Sequence, residues 1–265
     1  MRHLLSCLAI LAVFNSHSQV WNTNADVNQD GCVGASDVLG ILSVFGSCEP
    51  ASNCISPTMD GYTYGVVEIG DQCWFSENLH TTTYRNGDVI PAGLTDGEWL
   101  STTSGATAVY GEGNSDCYGF SPDIDACDEA QSLEEYGRLY NWYAVDDTRD
   151  LCPSGWHVPT DGEWVELENY ISANGFNGTE GTALRSTSGW HSSGNGTDDF
   201  GFTALPGGTV VSDFYSAGNT TSWWSSSPGG GNYWIRNLEY TFPGIYRSPE
   251  YPFVGLSVRC LRDAE

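Results

Sequence analysis

Nine cysteines in 265 residues constrain this chain more than any other feature. The first, Cys7, lies inside an apolar run from Leu4 to Phe14, which follows Arg2 and His3 and precedes Asn15-Ser16-His17-Ser18. Charged, apolar and small-residue regions in that order describe a secretory signal peptide, residues 1–18, cut before Gln19. The run is too short to span a bilayer. Leu4-Leu5-Ser6-Cys7 does not serve as a lipidation box, because cleavage there would leave the run uncut. Removing Cys7 leaves Cys32, Cys48, Cys54, Cys73, Cys117, Cys127, Cys152 and Cys260. An even number in an exported chain implies disulfides, although eight thiols allow roughly a hundred connectivities. Adjacency favours Cys32 with Cys48, Cys54 with Cys73 and Cys117 with Cys127. That leaves Cys152 with Cys260, whose long loop restricts the unfolded chain most. Zinc is the competing reading; it fails because no Cys-x-x-Cys pair or His-rich spacing accompanies these residues.

Charge narrows the function. Thirty-four acids face nine bases, every base is Arg, and the formal charge is −25. Phosphates would be repelled, so nucleic acid is excluded as a partner, and anionic lipid for the same reason. No later apolar stretch is long enough for a membrane span. With 40% hydrophobic and 13% aromatic residues, the chain has enough apolar surface to fold. Its 32 Gly and 11 Pro point to short strands and many loops.

Near the front, Asp26-Val27-Asn28-Gln29-Asp30-Gly31-Cys32 and then Asp37 set oxygen ligands at alternating loop positions, with a glycine at the sharp turn. Such spacing converges oxygens on a hard cation: Asp26, Asn28, Asp30 and Asp37 through side chains, Cys32 through its backbone carbonyl. Ca²⁺ is the expected cofactor. Val38, Ile41, Leu42 and Phe45 then recur at helical spacing, and Gly46 stops the helix. An EF-hand would carry Glu where Asp37 stands. With that departure, residues 19–49 resemble one repeat of a type I dockerin, which implies calcium binding and a possible cohesin-like scaffold as partner. No second repeat is found. Residues 50–58, with two prolines and no periodicity, read as a linker.

Beyond the linker, Tyr62–Ile69 is strand-like, Gly70-Asp71 supplies a two-residue turn, and Gln72–Phe75 returns. Thr160 and Glu163 form a capping box before a helix whose apolar face is Trp164, Leu167 and Ile171. A closing strand is expected over Val254–Cys260. A few helices and many short strands make an α+β domain.

A family resemblance rests on several motifs in register. They are Val67–Gln72 with Glu77-Asn78-Leu79, Tyr136–Trp142, Cys152–Thr160, Asp199–Phe202, Leu205–Gly208, Trp224–Ser227 and Ser257–Cys260. In this order they resemble the Fibrobacter succinogenes major paralogous domain over residues 59–265, which implies an extracytoplasmic module of undefined activity. His157–Trp164 is similar to the helix entry of formylglycine-generating enzymes, and Gly255–Cys260 to their closing strand. That likeness implies a C-type-lectin-like fold. The catalytic cysteine segment of those enzymes has no counterpart, nor do the Glu-Pro-Asn and Trp-Asn-Asp motifs of sugar-binding C-type lectins.

Trp190, Trp223, Trp224, Tyr233, Trp234 and Tyr246 sit amid Ser, Asn and Gly, where exposed rings would stack on sugars. The opposing reading makes them core, as for Trp74, Trp142, Trp156 and Trp164; strand alternation would put one ring of Trp223-Trp224 inward and one outward. Asp146-Asp147 and Asp198-Asp199 read as solvated turns before they read as acid/base pairs. His157 and His191 lack a nearby nucleophile in a recognisable frame. No catalytic constellation is identified. The expected function is a secreted or surface-displayed, non-catalytic module recognising an extracellular glycan or protein. The alternatives are a scaffold-docking component of a polysaccharide-degrading assembly, and a hydrolase.

Overall fold

A computed structural model of the chain describes residues 54–113 and 116–263. The chain divides into two units between residues 51 and 52, and the fold concerns the second. The signal segment, the dockerin-like stretch with Asp26, Asn28, Asp30, Cys32 and Asp37, and the Cys32–Cys48 pairing lie outside the described residues.

The domain opens with β1 (Thr58–Met59), β2 (Tyr62–Thr63), β3 (Val66–Ile69) and β4 (Gln72–Phe75). Next come α1 (Asp96–Ser101), β5 (Thr107–Ala108), β6 (Cys117–Tyr118), α2 (Glu129–Tyr136), β7 (Leu139–Tyr140) and α3 (Trp142–Val145). Then follow α4 (Asp161–Ile171), α5 (Glu180–Leu184), β8 (Thr209–Val210) and β9 (Phe214–Tyr215). A hairpin of β10 (Thr220–Gly229) and β11 (Asn232–Glu239), β12 (Tyr246–Glu250) and β13 (Leu261–Asp263) complete it. This is an α+β chain of short strands, as composition predicts.

Local chemistry explains the elements. The β3–β4 turn is possible because Gly70 adopts a φ of +64°. Thr160 and Glu163 form the reciprocal capping box that starts α4, and Trp164, Leu167 and Ile171 are its buried face. The expected strand over 254–260 is corrected. Gly255, Leu256 and Ser257 make separate bridges to Val210, Tyr140 and Trp223, so the segment threads between neighbours instead of lining one ladder. The regular strand begins at Leu261 and pairs antiparallel with β4, giving a sheet ordered β13-β4-β3.

Three disulfides close among the described residues: Cys54–Cys73, Cys117–Cys127 and Cys152–Cys260. The first two are pairings that adjacency favours, and the third is the one left over by elimination. The short ladders between them carry few hydrogen bonds each, so packing and cross-links hold the sheets in place.

Strand β10 lies between two aromatic cores. Trp223 packs with Trp74, Trp164 and Phe202, and Trp224 joins Tyr140, Trp142 and Trp156. Adjacent rings therefore do face opposite ways, but both faces are covered. The expectation of one exposed ring is wrong: Trp223 is 1% and Trp224 0% exposed. Each indole N–H finds a buried acceptor, Asn78 Oδ1 at 2.9 Å and the Tyr140 carbonyl at 2.7 Å. Arg259 is fully buried beside them. It donates to Asn78 Oδ1 and to the carbonyls of Phe75, Phe202 and Thr203 at 2.6–3.0 Å.

Candidate functional site

The six aromatic residues read as a sugar platform do not come together. Trp190, at 1% exposure, is a core residue whose N–H bonds Ser186 Oγ and the Ala204 carbonyl. Trp223 and Trp224 occupy opposite cores. Tyr233 stacks on Trp142, with ring centroids 3.3 Å apart, and Trp234 lies under the Arg247 guanidinium at 3.4 Å. Only Tyr246 is exposed, and Phe242 covers one of its faces at 4.1 Å. A chain poor in long aliphatic residues has made its interior from indoles.

Other singled-out residues also have structural roles. Asp147 pairs with Arg149 at 2.7 Å, and the donors of Arg149 pull its pKa down to about 2. Asp198 accepts from the Thr203 N–H and hydroxyl, and Asp199 from the Thr197 hydroxyl. His157 Nε2 meets Glu163 Oε1 at 2.7 Å beside the helix cap. His191 lies edge-on to Phe120 and Tyr240.

A cleft of about 680 Å³ lies between the start of α1, the loop after β5, and the β8–β9 hairpin. Its wall is apolar: Leu94, Trp99, Val210, Val211 and Phe214. Asp96, Glu112 and Glu129 bring carboxylates, and Arg138 brings a guanidinium. Each group is held from below. Thr95 and Glu98 form a capping box at the start of α1, and the Trp99 indole N–H donates to the Phe253 carbonyl at 2.7 Å. Gly137, at φ +72°, ends α2 and places Arg138; a Cβ there would meet the Leu79 carbonyl at 2.9 Å. Arg138 Nε then donates to the His80 carbonyl at 3.2 Å.

Glu112 is the perturbed acid of the cleft. Burial pushes its pKa up and the Glu129 charge adds to this; the Val109 N–H, donating at 2.8 Å, and the Arg138 charge offset part of the rise. The lining suits an amphipathic ligand: apolar surface against Trp99 and the valines, with donors reaching the carboxylates and an acceptor reaching Arg138. Among the described residues, no His or Cys lines it. Sequence reasoning missed Glu112 and Trp99, and met Arg138 only inside a family motif. The local signal was faint: an acid between Gly111 and Gly113, whose role depends on segments a hundred residues away.

A family model of the Fibrobacter succinogenes major domain matches residues 67–262. No curated protein and no solved structure matches the chain.

Proposed function

Because the chain belongs to the Fibrobacter succinogenes major domain family, whose name specifies no ligand, we propose a function from its own geometry: an exported, non-catalytic binding module for an extracellular glycan or protein. The observation that carries this reading is the mixed cleft, apolar on one wall and charged around Glu112 and Arg138, on a scaffold fixed by three disulfides. The bridges also support an oxidising destination, reached through the signal segment at residues 1–18.

Two finer elements belong to the same proposal. The fold is C-type-lectin-like, a reading supported by the similarity of His157–Trp164 and Gly255–Cys260 to formylglycine-generating enzymes. Residues 19–49 hold one Ca²⁺ through Asp26, Asn28, Asp30, Asp37 and the Cys32 carbonyl, and serve a cohesin-like partner as its docking repeat. Calorimetric titration of the full chain with Ca²⁺ tests this directly. Its heat should vanish in an Asp26→Ala/Asp30→Ala double variant.

The binding reading is tested with glycan arrays and with pull-downs from the extracellular fraction, comparing wild type with Ala92→Trp, which sets an indole at the cleft mouth. A ligand of the cleft should bind the variant at least tenfold more weakly. Equal binding of every captured ligand by both forms would remove the cleft from the function.

A further inference from the structure

β6 and β9, the latter lining the cleft through Phe214, carry one pattern twice: Asp116-Cys117-Tyr118 and Asp213-Phe214-Tyr215. The strands pair in parallel, Cys117 opposite Phe214 and Tyr118 opposite Tyr215. The middle residues face inward. Cys117 forms the bridge to Cys127, and Phe214 is 2% exposed in the core. Alternation then puts both Asp-Tyr pairs on the outward face.

That face is built and open. Tyr118 is 50% and Tyr215 36% exposed. Their rings lie parallel within 7° with centroids 5.6 Å apart, and both residues keep more than a third of their surface open to solvent. Tyr215 donates to Asp213 at 2.7 Å and Tyr118 to Asp116 at 3.4 Å. The bond to Asp213 and the charge of Asp116 respectively push these phenols up, keeping them protonated donors. Phe120, 51% exposed, lies two residues beyond the end of β6.

The carboxylates are the unusual part. In-register like charges on neighbouring strands repel. None of the ion pairs among the described residues includes Asp116 or Asp213. Asp116 is tied to one neutral hydroxyl and Asp213 to two, those of Tyr215 and Ser212, and each carboxylate keeps lone pairs for donors from outside.

We propose that this paired Asp-x-Tyr ladder is a glycan-binding surface for a neutral polysaccharide, whose C–H faces lie on the Tyr118 and Tyr215 rings and whose hydroxyls donate to Asp116 and Asp213. Acidic glycans are repelled by the same carboxylates. The inference rests on the binding-module reading but not on the cleft.

Affinity electrophoresis of the full chain tests it, with xylan, mixed-linkage β-glucan and galactomannan as neutral probes, alginate as the acidic one and oligo-lysine as a cationic competitor. Wild type should be retarded by at least one neutral glycan and not by alginate. Tyr118→Ala/Tyr215→Ala should weaken that binding at least tenfold at unchanged melting temperature, and Asp116→Asn/Asp213→Asn several-fold. Ala92→Trp should leave it intact. Retardation lost in Ala92→Trp but kept in the tyrosine variant would overturn the ladder while leaving the cleft reading standing. Absence of retardation by every neutral glycan would overturn it too. So would oligo-lysine binding that is lost in both double variants without any glycan binding, since the surface would then belong to a basic protein segment.

Discussion

Replacing Arg259 with methionine tests how the two cores are joined. The guanidinium is fully buried, and burial pushes its pKa down to about 9, still well above neutral, so the donors remain charged at pH 7. Methionine fills comparable space but donates nothing. Asn78 Oδ1 keeps the Trp223 indole N–H as a partner. The carbonyls of Phe75, Phe202 and Thr203 lose theirs. A buried acceptor left unsatisfied costs about 1–3 kcal/mol, so three cost roughly 3–9, and relaxation of the neighbours with relief of the buried charge brings the expectation to about 4 kcal/mol. Urea unfolding of the oxidised protein, followed by tryptophan fluorescence, reads the loss. With a slope of roughly 2 kcal/mol per molar, the midpoint should fall by about 2 M. Arg149→Met removes a solvent-exposed guanidinium and is the control, with a much smaller expected shift of the midpoint. Equal midpoints for the two variants would refute the idea that Arg259 stitches β4 to the 202–203 segment.

The other expectations concern cross-links and charge. Cys152→Ala/Cys260→Ala opens a loop with a sequence separation of 108 and should cost roughly 4 kcal/mol, against roughly 2–3 for Cys117→Ala/Cys127→Ala at a separation of 10, both read by the same unfolding assay. Asp147, held at about pH 2 by Arg149, stabilises the fold above its unfolded pKa, near 4, and loses that contribution as pH falls through 2. Asp147→Asn should therefore flatten the acid limb of the stability profile by no more than about 1 kcal/mol. Glu112 has the opposite sign: its pKa is raised, so its ionised form weighs against the fold as pH rises past the unfolded value. Glu112→Gln keeps an acceptor for the Val109 N–H and should be as stable as wild type, or more so, at pH 7. That advantage should disappear below pH 4; a variant less stable at pH 7 would contradict the burial argument.

What could be read from the chain depended on the range of the interaction. The α4 helix was legible because Thr160, Glu163, Trp164, Leu167 and Ile171 all act within three turns. The β3–β4 hairpin was legible because Gly70 alone sets the turn. Cysteine pairing followed from short loops and elimination. The aromatic residues were misread, since alternation gives the direction of Trp223 and Trp224 but not what covers each side of β10, which is set by segments from Trp74 to Val258. The cleft was invisible for the same reason: Glu112, Arg138 and Val210 meet only after the segments between them are folded.

The place of the last strand dictates an order of assembly. β4 is the middle strand of its sheet, yet one of its neighbours is β13, and the thiol that closes on Cys152 sits just ahead of it. A polypeptide emerging amino end first thus holds an unfinished centre until β13 has been made. That strand acts as a latch: until it arrives, the earlier hairpin keeps an open flank and the tryptophan interior stays unsealed.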